Sequence, residues 1–423
     1  MTSVRNHRLL LNGNKWLIFF LAATMAACSP KVRQTPKPTP IPPPPTEKNP
    51  SKPEKPVEKK PVKKHTDKPA SISMILPLGL DQLRPGQQYS AANLTKANMA
   101  AEYYQGFKLA LDSLATSTGT DYKLEIFDSK DRVAEAHSLG YNPRIRSSDL
   151  IVGPVFPEDI KAFTSVLASA KQPIVSPLSP SAPSTYKNPH LLTMTPPLEY
   201  HAAGAATYVF ERLRPKKIFI LKSGYSEDND YIIPFKKTID SLSNKHIQVI
   251  STTVVHGDLK GLMPQLSRTA DNIFIIPSTK QAFLTITLRS LEDLSDEYPV
   301  QVFGHPNWEK LTYLKAAQLQ HVNTHITSSY KVDYKSVATV VFLRNYRRAY
   351  HTEPTEYAIK GFDEGLYLGQ LLADGDDHIK KPDEYNYLGL HNDFHFVKVP
   401  GQGWVNAHVD ILKYENFELK RAE

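Results

Sequence analysis

The chain has 423 residues, of which 40% are hydrophobic and 22% charged, with a formal net charge of +8 and a single cysteine. The charge is unevenly placed: +3 falls in residues 1–28 and +7 in residues 29–69, which leaves −2 for the rest. The basic balance therefore does not describe the folded part, which is not expected to bind nucleic acid.

The chain opens with Arg5, Arg8 and Lys15, without an acid, followed by the apolar run Trp16 to Ala27. Twelve residues are too few to span a bilayer, so residues 1–28 are expected to be a signal peptide rather than an anchor helix. The run ends Met25-Ala26-Ala27-Cys28. Small residues before a lone cysteine resemble a bacterial lipobox, which implies diacylation of Cys28 and a membrane partner reached through that lipid. The expected location is the cell envelope, at the outer membrane and facing the periplasm. A mature exported chain with no other thiol has nothing to misoxidise.

Residues 29–69 hold 13 prolines, 11 Lys or Arg and four acids with few apolar side chains. Such a stretch cannot bury a core and is expected to be a disordered, partly polyproline tether. Fully extended, it would reach up to about 130 Å at about 3.1 Å per residue.

From Ser71 onward strands and helices alternate. Ile72 to Leu76 reads as the opening strand, and Tyr103, Phe107, Ala110, Leu111 and Leu114 form the apolar stripe of a helix over Met99 to Leu114. Tyr122 to Phe127 is the second strand. Asp149 to Val152, closed by Gly153, is a buried strand, and Pro157, Glu158 and Asp159 make a favourable first turn for the helix that follows. Its core face reads Ile160, Phe163, Val166, Leu167 and Ala170, before strands at Gln172 to Ser176 and His190 to Met194. Thr195-Pro196-Pro197 reads as a crossover, after which the pattern restarts. Helices are expected over Tyr200 to Leu213, Asp230 to Leu242, a stretch ending at Thr269, and Lys280 to Leu291. Strands are expected at Lys217 to Leu221, Ile247 to Thr252, Ile273 to Ile276 and Val300 to Phe303. A return crossing is expected near Thr324 to Ser329. Two helices follow, the second placing Gly361, Gly365 and Gly369 four apart, a smooth face against which another element can press. The chain closes on alternating residues from Asp393, a turn at Pro400 to Gly403, and alternation again from Trp404 to Leu412.

Four of these stretches carry a resemblance. "ISMILPLG" at Ile72 to Gly79, "YYQGFKLALDSL" at Tyr103 to Leu114, "DLIVGPVFPEDIKAF" with "QPIVSPLSPSAP" from Asp149 to Pro183, and "FLRNYRRAYHTEPTEYAIKGFDEGLYL" at Phe342 to Leu368 occur in an order and spacing similar to the type I periplasmic-binding-protein family, the amino-acid-type receptors of ABC importers. The resemblance spans roughly residues 71–418. It implies an α/β fold of two Rossmann-like lobes with parallel sheets, joined by a multi-strand hinge that closes on a ligand. The expected division is residues 70–196 plus 330–375 for the first lobe and 197–329 plus 376–423 for the second.

No GxSxG, HExxH, P-loop, GxGxxG or CxxC spacing occurs, so no enzyme, metal site or cofactor is expected. If the strand-end loops line a cleft, the first lobe offers Val155, Phe156, Ser176, Ser179 and Ser181. The second offers Ser223, Tyr225, Ser278, Thr279, His305, Asn307 and Trp308. The ligand-binding expectation rests on Phe156, Ser176, Ser179, Tyr225, Ser278, His305 and Trp308. The alternative for each polar residue is a turn or cap role. The family pattern puts a small hydroxyl and free amides just after the strand; this chain has Phe156-Pro157 there, and its second hydroxyl position falls at Ser179 or Pro180. A small-molecule ligand, amino-acid-like or peptide-like, and an ABC permease are thus the implied partners. The alternative is a non-transport envelope module of the same fold that binds a cell-wall synthesis protein, similar to the lipoprotein activators of peptidoglycan synthases.

Overall fold

The computed structural model describes residues 68–82, 86, 88, 90–167, 171–375 and 378–422. The expected signal peptide, Cys28, almost all of the expected tether and Ala170 lie outside the described residues.

Two seven-stranded sheets organise the described chain. The first has the order β11-β12-β5-β4-β3-β1-β2 and the second β14-β13-β10-β9-β8-β6-β7. In the first sheet β1 (Ala70–Leu76), β2 (Tyr122–Asp128), β3 (Leu150–Val152), β4 (Ile174–Ser176) and β5 (Leu191–Thr193) are parallel. The central strands β3, β4 and β5 are buried on both faces, as strands covered twice must be, whereas β2 at the edge is part-exposed. Along β1, Ile72, Met74 and Leu76 enter a core with α1 (Ala91–Thr118) and α10 (Glu356–Asp374), while Ile75 enters another with α4 (Pro157–Ser165). Two short helices, α2 (Val133–Leu139) and α3 (Pro143–Arg146), complete that second layer.

The second sheet repeats the plan with β6 (Lys217–Lys222), β7 (Gln248–Thr253), β8 (Asn272–Ile276), β9 (Val300–Gly304) and β10 (Thr324–Ser328). Ile218, Ile220, Ile273 and Ile275 face α5 (Leu198–Tyr208) and α6 (Asn229–Leu242). Phe219, Leu221, Phe274 and Ile276 face α7 (Gln281–Ser295) and α8 (Ala316–His321). The remaining helix, α9 (Val337–Tyr350), packs on the outside of the α1–α10 pair.

The expected glycine face is where α1 and α10 meet. A Cβ on Gly361 would lie 2.2 Å from the Tyr103 carbonyl oxygen, and one on Gly106 would lie 1.9 Å from that of Ala358. Backbone touches backbone here, so only hydrogen fits.

Three expectations need correction. The stretch ending at Thr269 is not a helix: Gly257 has φ +73 and Pro264 sits in a single 3-10 turn, Met263–Gln265. Leu259 and Leu262 still reach the core, so the loop is packed without being regular. Residues 324–328 are a strand of the second sheet, and the return crossing follows at 329–336. Finally, residues 376–423 do not all belong to the second lobe. Strands β11 (Phe396–Val399) and β12 (Gly403–Asn406) extend the first sheet through the pairing of β12 with β5, and only β13 (Asp410–Glu415) and β14 (Glu418–Arg421) join the second. Buried Trp404 and Val405 fix that choice by pairing with Leu192 and Thr193.

Candidate functional site

Three segments cross between the lobes, at 194–197, 329–336 and 407–409. Each leaves from the carboxyl end of a strand. The first runs from the carboxyl end of β5 to the start of α5, and the second from the carboxyl end of β10 to the start of α9. A helix that feeds a parallel strand starts at the strands' carboxyl rim, so the first segment, which enters α5 and then β6, joins rim to rim. The third leaves β12, parallel to β5, and enters β13 at Asp410, which pairs with Ser328 at the carboxyl end of β10. The loops of both carboxyl rims therefore share one hinge.

Polar contacts brace it. Asn406 Oδ1 accepts from the amides of His395 and His408, and Lys331 donates its amide to the His391 carbonyl at 2.8 Å. His391 Nδ1 lies 2.5 Å from the buried Asp363 carboxylate, which also accepts the amides of Leu390 and His391. His408 Nε2 stands 3.9 Å from Asp393 and 3.6 Å from Asp410.

In open α/β sheets the crevice forms where the strand order reverses. In the first sheet that point lies between β1 and β3, and in the second between β6 and β8. The first is flanked by residues 77–79 and 153–156. Asp128, at the end of β2, ties down the loop after β1 by accepting the amides of Leu78, Gly79 and Leu80. Gly153 allows the close approach after β3, since a Cβ there would lie 2.3 Å from the Ile75 oxygen.

Phe156 stands at this point as the N-cap of α4, half-buried, with the Lys96 ammonium 5.2 Å from its ring centroid. Lys96 also pairs with Asp131. In the first turn of the same helix Asp159 is 3% exposed and its Oδ2 has no hydrogen-bond partner. Burial pushes this carboxyl up to about 6, with Asp131 adding to the rise and Lys96 opposing it.

The second reversal point carries Tyr225, which is 57% exposed and has Lys280 Nζ 4.8 Å from its ring centroid. Lys280 pairs in turn with Glu227 at 3.1 Å. Ser223 donates its amide and hydroxyl to Asp228, which fixes the turn before Tyr225.

The other expected residues lie deeper or one strand outward. Ser176 is fully buried beside Thr193, and neither hydroxyl has a partner. Buried Ser179 bonds the Ser181 hydroxyl at 3.0 Å and stands 3.3 Å from that of Tyr186, a turn role. Ser278 accepts the Lys280 amide on its hydroxyl and the Trp308 indole N–H on its carbonyl. Trp308 is 1% exposed and packs over Gly304, so its ring fills the second lobe's core. His305 caps the following 3-10 turn by accepting the Asn307 amide on Nδ1, and burial lowers its pKa to about 4.

Sequence reading missed Lys96, Asp131, Tyr231 and His201. Tyr231, in the first turn of α6, has a buried, unpartnered hydroxyl with its ring 6.2 Å from that of His305. His201, in the first turn of α5, bonds Thr327 through Nδ1 at 2.9 Å, and burial lowers its pKa to about 3. The place of Asp131 just after β2 and of His201 just after a crossover was the available signal; nothing local marks Lys96. Two recesses, of about 690 Å³ and about 410 Å³, open elsewhere on the second lobe; the first lies at the amino ends of β6 and β7. Among the described residues no group of three His, Cys, Asp or Glu is arranged to hold a metal ion. No described helix is long and apolar enough to cross a membrane.

No protein-family model and no curated protein sequence matches the chain. Solved structures do match in fold. An ABC transporter substrate-binding protein from Desulfitobacterium hafniense in complex with Leu is 16% identical, with a TM-score of 0.52 over 84% of this chain and 100% of that one. A protein described as a branched-chain amino acid ABC transporter from Rhodospirillum rubrum gives 0.61 at 12% identity over the same shares. The chain thus has the two-lobed type I periplasmic-binding-protein fold.

Proposed function

We propose that this protein is a cell-envelope lipoprotein that binds a small polar ligand between its two lobes and serves as the receptor of an ABC importer. One observation supports the reading: three segments cross between the lobes, and the first and third join their carboxyl rims, so the loops at both reversal points sit on a single hinge. Closure of such a hinge traps a ligand between loops that contact it from opposite sides. Lipidation at Cys28 and a tether over residues 29–69 would hold the module at the membrane while letting it range.

The test is a thermal-shift screen with amino acids, short peptides and muropeptides, followed by small-angle scattering. A ligand that closes the lobes raises the melting temperature, by about 2.7 kcal/mol of stabilisation at a hundredfold excess over Kd, and contracts the molecule. A flat screen with unchanged scattering defeats the receptor reading.

A specific observation favours a second reading. Ser176, Ser179, Ser278 and Trp308 are all buried and serve packing or turns. A rim so filled suits a module of the same fold that grips a protein partner, such as a cell-wall synthesis enzyme. Capture of one defined envelope protein, unaffected by Phe156→Ala and Tyr225→Ala, would favour it.

A further inference from the structure

Each reversal point presents the same trio. In the first lobe Lys96 lies over the Phe156 ring and pairs with Asp131; in the second Lys280 lies over the Tyr225 ring and pairs with Glu227. The ligand loops of both lobes thus already hold an ammonium group, supplied by the chain itself.

The first trio has something the second lacks. In the first turn of the helix that Phe156 caps, Asp159 is buried to 3% exposure with Oδ2 unpartnered, and its electrostatic neighbours are Asp131 and Lys96. A buried carboxylate oxygen without a partner is costly, so its place calls for a donor. Lys96 is bound to Asp131 and does not supply one. The α4 terminus, for its part, is poorly made for a carboxylate: Pro157 removes an amide and Phe156 offers no side-chain cap. Two carboxylates and the negative face of an aromatic ring are instead complementary to a cation.

We propose that Phe156, Asp131 and Asp159 form an ammonium seat at the mouth of the first lobe, filled in this structure by Lys96, and that a ligand bearing an aliphatic amine takes the place of Lys96. This rests on the inter-lobe reading and specifies its ligand class. Lys96 and Asp131 have 40% and 35% of their side chains exposed, so the lysine can swing out without unfolding anything. The displaced ammonium goes to solvent. The incoming amine inherits the ring and Asp131, and Asp159 adds negative charge close by. The seat is then selective against carboxylates.

The probe is cadaverine, with valerate and L-leucine beside it, titrated calorimetrically into the whole chain at pH 7.5 and followed by small-angle scattering. Removing the internal competitor with Lys96→Met should tighten cadaverine about tenfold, and Asp159→Asn should weaken it by a similar factor. Asp131→Asn, at an exposed position, gives the same test if Asp159→Asn fails to fold. Valerate should give no heat. The proposal is overturned if cadaverine gives no heat with either the native chain or Lys96→Met, if Lys96→Met leaves its affinity unchanged, or if valerate binds in its stead. Leucine binding with contraction, but no cadaverine binding, sinks the seat and leaves the inter-lobe reading intact. Cadaverine binding with the Lys96→Met gain but no contraction keeps the seat and removes the closure.

Discussion

The two lobes share a plan and differ in what they bury. The first encloses acids: Glu364, held by the Tyr103 hydroxyl at 2.7 Å, and Asp159, both raised in pKa chiefly by burial. The second encloses histidines: His201, lowered to about 3, and His305 and His325, each lowered to about 4, again chiefly by burial. The helix layers differ as well. The first lobe presses α1 on α10 through bare glycine backbone, while the second pads α5 against α6 with Ala202, Ala205 and Ala206. One topology therefore tolerates both kinds of buried group, provided that each can be paired or take its neutral form.

The widest gap between the lobes should appear on substituting glycine. Gly106→Ala places a Cβ 1.9 Å from the Ala358 oxygen, and no side-chain movement relieves a backbone contact. Overpacking costs about 1–3 kcal/mol and its upper end applies, against about 1 kcal/mol gained in helix propensity, so a net loss of about 2 kcal/mol is expected. In the second lobe Gly204→Ala meets a Val409 methyl at 2.4 Å, a side chain rather than backbone, and should cost less than Gly106→Ala. Urea unfolding midpoints compare the two. Equal losses would show that the α1–α10 contact is no tighter than its counterpart.

Acidification should separate the lobes next. A histidine whose folded pKa is depressed leaves the unfolded chain binding more protons below about 6.5. The second lobe therefore loses stability as pH falls from about 6.5 towards 4. The acids run the other way: with its folded pKa raised to about 6, Asp159 binds its proton before its unfolded counterpart does, so the first lobe gains as pH falls from about 6 towards 4. Amide exchange in β8 and β9 should quicken relative to β1 and β3 between pH 7 and pH 4.5. A uniform change in both sheets would erase the contrast.

A smaller effect isolates one group. Asp159→Asn removes a buried charge and should raise the melting temperature at pH 7.5 by roughly 2–4 °C, with no gain left near pH 4. A gain that persists at pH 4 would mean that ionisation of Asp159 is not its source. The smallest effect expected is none. Arg347 and Glu353 pair at 2.7 Å in full solvent, and Arg347→Ala should leave the melting temperature where it was.

Both lobes were legible wherever short-range pattern decides structure. The apolar runs of β1, β3 and β8 and the glycine spacing of α10 announce buried strands and a close helix contact without distant information. The stretch from Val254 to Thr269 misled because its apolar residues do face the core, while glycine and proline forbid the helix that their spacing suggests. The lobe of β11 and β12 could not be read, because strand alternation is the same whichever sheet accepts the strand. At the site, Phe156 and Tyr225 were visible as aromatics after strands. The lysines over them were not, since Lys96 and Phe156 are 60 residues apart and only the fold brings them together. Asp159 read as an ordinary helix-start acid, and its burial is a property of the surroundings.

The strand swap at the end of the chain has a consequence for biogenesis. β12 seals against β5, more than two hundred residues upstream, and β13 against β10. Neither half can complete its sheet while residues 403–415 are still being made, so an emerging chain must wait with two open edges. Pairings of that sequence separation form slowly and leave unpaired strands accessible to aggregation. Any factor that shepherds this polypeptide to its destination has both edges to shield until the final hairpins arrive.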